Sequence, residues 1–228
     1  MTVRRDGGRL TTRPDDRRPI DLRTPLRLRS AFAFPLQTRV SRQEVLVGAV
    51  LLLLPGIGWL LNMGHRIQMV HKMRSGASPW PSWREYGRLL RDGTVTFLGM
   101  VEYCLPALVI GLLARSRGSA ALLVVAAVLF VGATLAIPGY MSHYCRRFDA
   151  REIFDPARAL RRVRQGGRAY WHAWGITLAA LAISFVGLLG LGVGFLVTSV
   201  WFWQVAGYSF ATVFSQRFDL FGTSSDPS

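Results

Sequence analysis

The chain has 228 residues, half of them hydrophobic, with 28 basic against 13 acidic side chains and a formal net charge of +15. The apolar residues come in blocks of about 20, long enough to cross a ~30 Å hydrocarbon core as helices, which excludes an ordinary soluble domain. Two cysteines, Cys104 and Cys145, exclude a disulfide framework. Arginines that flank apolar blocks point to anionic lipid headgroups, and not nucleic acid, as their partner.

In chain order, residues 1–30 are rich in Arg, Asp, Pro and Thr without hydrophobic periodicity, the composition of a disordered tail. No signal peptide is expected, since the first apolar run starts after more than forty polar residues. The lead-in around Phe32, Phe34 and Pro35 reads as interfacial. Residues 45–64 form the first apolar block, broken at its centre by Pro55, Gly56 and Gly58. After it, Ile67, Val70 and Met73 define one stripe of an amphipathic helix. Residues 78–82 read as a turn, because two alternate prolines forbid a helix interior. Trp83, Tyr86, Gly87 and Leu90 recur at i, i+3, i+4 and i+7, the pattern of a short helix lying in the interface. Trp80, Trp83 and Tyr86 are the expected interfacial anchors.

Asp92 and Gly93 suggest a cap for a span over 94–114. A short loop leads to a third block, 119–141. The basic connection that follows opens a helix at Asp155-Pro156 and stops it at Gly166-Gly167. Arg158, Arg161, Arg162 and Arg164 on that helix are the expected anionic-lipid contacts. The last apolar stretch is too long for one span and divides near Gly187, Gly190, Gly192 and Gly194 into spans at 173–190 and 195–214. The membrane domain therefore covers 31–216 and a short polar tail covers 217–228. The fold class is all-α and polytopic: four full transmembrane helices, plus a Pro/Gly-broken segment that is either a re-entrant hairpin or a fifth span.

Charge bears on that choice. Eleven basic residues precede Val45, six lie in the first long connection, two are Arg115 and Arg117, eight lie in the second long connection and one is Arg217. If residues 45–64 enter and return, only Arg115 and Arg117 face outward, as the positive-inside rule favours. The expected location is the inner (plasma) membrane, with the N-terminus and the long basic loops cytoplasmic. The backbone at such an apex must be satisfied inside the lipid, and covering helices are the expected means.

The order of features resembles an uncharacterised prokaryotic membrane-protein family, domain of unknown function 4013. The resemblance rests on Ala31, Phe32, Phe34 and Pro35, then Gly48, Pro55 and Gly64. It continues through Pro81, Trp83, Glu85, Tyr86, Leu89, Asp92 and Gly93, then Tyr103 and Pro106, and ends on Tyr208, Phe214, Gln216 and Phe218. It implies a polytopic helical fold and no established activity. Arg84 and Arg88 stand where acids would be expected, so no acidic role is expected of that loop.

Chemistry-bearing patterns are sparse. Glu102 is an ionisable side chain near the middle of a span, where it costs about 2.5–3.5 kcal/mol on insertion scales and marks a functional candidate. Gln204, Tyr103 and Tyr208 are its candidate partners. His65, His71, His143, Cys145 and His172 lack metal-ligand spacing, so neither a metal nor any other cofactor is expected. Nucleotide-binding and hydrolase fingerprints are missing from the sequence, and no catalytic residue is assigned. The sequence thus favours a non-enzymatic membrane scaffold, assembly or regulatory component that binds anionic lipid and a membrane-protein partner or a second copy. The alternative is a small transporter or channel that uses Glu102.

Overall fold

Proline and glycine decide where the first apolar block turns. In the computed structural model, which describes residues 20–80, 83–190 and 192–218 apart from the side chains of 143, 152, 217 and 218, that block is two helices. Helices α1 (Leu28–Ala33) and α2 (Arg39–Leu51) precede the break, and α3 (Ile57–Arg74) follows it. Thr38 and Ser41 cap α2 reciprocally. Gly56, with φ 73° and ψ −64°, adopts the strained form of the γ-turn, which the missing Cβ permits.

The two helices run antiparallel. Asn62 donates to the carbonyl of Gly48 at 3.1 Å, His65 meets Glu44 at 2.8 Å, and a Cβ on Gly58 would fall on the carbonyl of Leu51. The chain therefore returns to the end it left. The bend also closes part of its own backbone. Amides of Leu53, Leu54, Ile57 and Gly58 donate to the carbonyls of Val50, Leu51, Pro55 and Leu54 at 2.8–3.1 Å. Its apolar tip, with Leu53, Leu54, Ile57 and Trp59, is exposed.

Three long hairpin arms follow: α4 (Tyr86–Arg117), α5 (Ala120–Arg147) and α6 (Pro156–Val186), with α7 (Val193–Phe218) closing the bundle. Among the described residues, three helices are long and apolar enough to cross a membrane, spanning residues 86–117, 120–147 and 156–189. Helix α7 has 26 residues, about 39 Å at the helical rise, and its buried Gln204, Ser209 and Thr212 dilute its apolar character. The outer halves of α4 and α5 expose Leu105, Leu108, Leu112, Val124, Val128 and Phe130, as lipid-facing helices do. Among the described residues no strand occurs.

Several elements depart from expectation. The interfacial helix at Tyr86 is the first turn of α4, because nothing in Tyr86 to Gly93 breaks a helix. Asp92 and Gly93 lie inside α4, not at its cap. Helix α3 is not amphipathic at an interface, since every residue from Leu61 to Val70 is buried. Cys145 lies inside α5 and is buried. Phe34 is also buried, stacked on Tyr208 with ring centroids 4.6 Å apart.

Of the expected tail, residues 1–19 lie outside the described residues. The stretch from residue 20 docks across the bundle end: Leu22 and Leu26 are buried, and Gln216 donates to the carbonyl of Thr24 at 2.6 Å. Asp155 caps α6 through the Arg158 amide, with Pro156 at the first turn, as the sequence indicates. Gly167 (φ 53°, ψ −139°) kinks α6 without ending it. Gly192 (φ 82°) lies in the final turn, where Gly187 and Gly194 pack backbone to backbone.

Helices α3 and α4 cross at two glycines. A Cβ on Gly64 would fall on the Leu89 carbonyl, and one on Gly93 would fall on the Leu60 carbonyl. Gly64→Ala is expected to lower stability by about 2 kcal/mol or more, because rigid backbone must move apart. Gly87→Ala, on α4 with nothing within 4 Å of its Cβ, should be neutral or slightly stabilising. Thermal unfolding of the two variants in one detergent checks this.

Candidate functional site

Helix α3 carries a polar residue at every third position: Asn62, His65, Gln68, His71 and Arg74. Three residues advance a helix by about 300°, so this series winds around the axis instead of forming one face. Each member finds a different stretch of neighbour. Asn62 and His65 reach α2, through Gly48 and Glu44. Gln68 donates to Asp92 of α4 at 2.5 Å. His71 meets the carbonyl of Cys145 on α5 at 2.7 Å, and Arg74 donates to the carbonyl of Ser142.

Two of these contacts anchor larger clusters. The His65 ring stacks on Trp83 at 4.1 Å, while the Trp83 indole donates to the Glu44 carbonyl at 3.0 Å. Trp80 packs on the other side of His65 at 6.0 Å. Asp92 is fully buried and accepts from Gln68, from Tyr144 at 3.1 Å and from Arg91 at 3.2 Å. Arg88 approaches it at 3.9 Å. A carboxylate held by this many donors is a joint between α3, α4 and α5.

Beside these joints, residues of α3, α5, α6 and α7 line a partly open cavity of about 310 Å³. Its walls are almost wholly apolar. Arg66 and Arg74 reach it from α3, and Trp174 and Thr177 from α6. The volume is at the lower end of the range for small-molecule sites, about 300–1,000 Å³.

The residues singled out in the sequence are distributed as follows. Trp80 and Trp83 pack on His65, and of the three expected anchors only Tyr86 is exposed; of the expected turn at 78–82, residues 81 and 82 lie outside the described residues. Pro55, Gly56 and Gly58 do form the hairpin bend. Arg158, Arg161 and Arg164 are exposed on the first part of α6, and Arg162 is half-buried there. Glu102 is exposed on α4 beside Val101 and Leu105, and among the described residues neither Gln204 nor Tyr208 hydrogen-bonds it. Tyr103 instead donates to the Ile153 carbonyl at 3.1 Å.

His172 is exposed, and the side chain of His143 lies outside the described residues. Among the described residues no group of three or more His, Cys, Asp or Glu could hold a metal ion. The missed residues are Glu44, Asn62, Gln68 and Asp92 as joints, and Arg66 in the cavity. The signal available for the joints was the three-residue polar period, which the apolar stripe at Ile67, Val70 and Met73 concealed.

These helices, with long apolar faces bare on the outside and polar joints inside, define a polytopic helical membrane protein. The chain belongs to the family described as protein of unknown function DUF4013, whose profile matches residues 47–199. No curated protein matches the chain, and no solved structure does.

Asp92→Ala is expected to cost about 3 kcal/mol, since it leaves Gln68 and Tyr144 buried without their acceptor. Glu102→Gln should change stability by less than about 0.5 kcal/mol, because no bundle contact depends on its charge. Paired unfolding curves in detergent measure both.

Proposed function

We propose that this protein is a non-catalytic component of the plasma membrane whose basic end faces the cytoplasm and binds anionic lipid headgroups. The observation that carries the reading is the antiparallel α2–α3 hairpin. It returns the chain to one end, so the segment from residue 20 and both long basic connections share that end. Only Arg115 and Arg117 remain at the opposite end of the α4–α5 pair. That asymmetry supports a cytoplasmic basic end, because arginines near spans are retained on that side.

Arg158, Arg161, Arg162 and Arg164 supply the headgroup contacts in this reading. They sit on a helix whose Ala159 is packed against α5 at Gly139, which fixes their height relative to the spans. A juxtamembrane cluster of this kind gains about 1 kcal/mol per basic residue near an anionic surface. A scaffold or regulatory role follows from one firmly packed bundle presenting a charged end. This reading is preferred to the transport alternative because Glu102 is exposed on α4 and does not line the cavity.

Two measurements test this. Single-cysteine variants in a background without Cys104 and Cys145 are labelled in intact cells with an impermeant thiol reagent. Ser30→Cys and Ser75→Cys should be protected and Ser116→Cys reactive; labelling of the Ser30 variant alongside protection of the Ser75 variant would overturn the topology. Neutralising the four α6 arginines to glutamine should reduce retained anionic lipid at least twofold by native mass spectrometry. Unchanged retention would remove the lipid assignment.

A further inference from the structure

Arg66 lies on α3 and is only 7% exposed. Its NH2 group approaches the Met141 sulfur at 3.3 Å and its guanidinium lies 4.5 Å from the Trp203 ring centre. Its Nε has no acceptor. Among the described residues no carboxylate pairs with it. A buried cation without a counter-charge costs several kcal/mol, and neither a thioether nor an indole face offsets that in full. Asn62, His65, Gln68, His71 and Arg74 on the same helix each find a hydrogen-bond partner. Arg66 finds, among the described residues, only the Met141 sulfur.

Its surroundings repeat the same deficit. Trp174 Nε1 and Thr177 Oγ1, on the α6 wall of the cavity that Arg66 lines, are also buried without partners. Arg74 lines the cavity as well, and among the described residues no Asp or Glu does. The cavity thus gathers two cations and two spare polar groups and supplies no negative charge. The rest of its wall is apolar, including Ile137, Leu181, Phe202 and Phe210, and half-exposed Leu178 stands at its rim. Guanidinium forks match carboxylate and phosphate oxygens, and apolar walls match a hydrocarbon chain.

We propose that this cavity is a binding site for a single-chain anionic amphiphile drawn from the bilayer. Its carboxylate or phosphate head pairs with Arg66 and accepts from Trp174 and Thr177. Its chain lies along the walls of α5, α6 and α7. The inference requires that the protein reside in a bilayer, but not that its basic end be cytoplasmic, nor that the arginines of α6 bind lipid.

The test uses delipidated full-length protein in detergent, read by native mass spectrometry and thermal unfolding. Hexadecanoate or palmitoyl lysophosphatidate is expected to bind once per chain and to raise the unfolding temperature, and hexadecanol, with the same chain and no charge, to bind at least tenfold more weakly. Equal binding of the alcohol would reduce the site to an apolar void. Full competition by inorganic phosphate at equal concentration would make it a free-anion site. Absence of saturable binding by both anionic amphiphiles would also overturn the proposal.

Arg66→Met is expected to weaken binding at least tenfold while raising the unfolding temperature of the ligand-free protein, since an uncompensated charge is removed. Unchanged binding in this variant refutes the assignment. Ala206→Phe, which fills the cavity and keeps Arg66, should block binding, and unaltered binding there refutes it independently should Arg66→Met fail to fold. Glutamine at Arg158, Arg161, Arg162 and Arg164 should leave cavity binding unchanged, which separates this site from the surface reading.

Discussion

The constraint on which this structure depends is the satisfaction of a polar helix inside an apolar bundle. Helix α3 is buried from Leu61 to Val70, yet it carries Asn62, His65, Arg66 and Gln68 within that stretch. In hydrocarbon or in a packed core each of these groups costs free energy unless it is paired. Because the polar series winds around the axis, no single neighbour can pair it. Helices α2, α4 and α5 must all approach at defined heights, and glycines permit the approach: Gly48 beside Asn62, Gly64 under Leu89 and Gly93 against Leu60. Hydrogen bonds therefore set the register, and small residues set the distance. Apolar area alone would allow these helices to slide past one another.

The hairpin of α2 and α3 follows from the same logic. A straight span through residues 45–64 would separate Glu44 from His65 by about 30 Å along one axis. Folding back at Pro55 and Gly56 joins them at 2.8 Å and covers the pair with Trp83. The bend also answers the objection that irregular backbone cannot face lipid. Amides of Leu53, Leu54, Ile57 and Gly58 close tight turns on carbonyls two to four residues back, and the exposed tip presents Leu53, Leu54 and Ile57 side chains.

Much of the architecture was legible from apolar block length and from glycine and proline placement. The bend at Pro55, the capped start of α6 at Asp155 and the closing turn at Gly187–Gly194 all follow from local dihedral rules that act within a few residues. The starts of α4 and the depth of α3 were not legible in that way. Whether Asp92 caps a helix or sits inside one depends on Gln68 and Tyr144, which are distant in sequence. Whether Trp83 floats at an interface or covers a histidine depends on His65, a residue of α3. Composition describes what a residue tolerates, whereas these placements depend on what it meets. Glu102 shows the converse, since its sequence position marks it as costly but only the fold reveals that it faces outward from the bundle.

The residues that carry the family resemblance separate structure from function. Gly48, Gly64 and Gly93 are points of close helix approach, and Pro55 is the bend. Trp83 and Asp92 are joints, Tyr208 stacks on Phe34, and Gln216 ties down the segment from residue 20. Trp83, Asp92, Tyr208 and Gln216 thus find partners within the chain that account for their chemistry. Arg66 is not among the residues of that resemblance, and it is the buried cation on α3 whose partner the described residues do not supply. Tyr140, Gln204 and Ser215 also bury polar atoms without partners, but Arg66 alone of these carries a full charge, and its guanidinium at an apolar cavity points toward a negative charge brought from outside the chain.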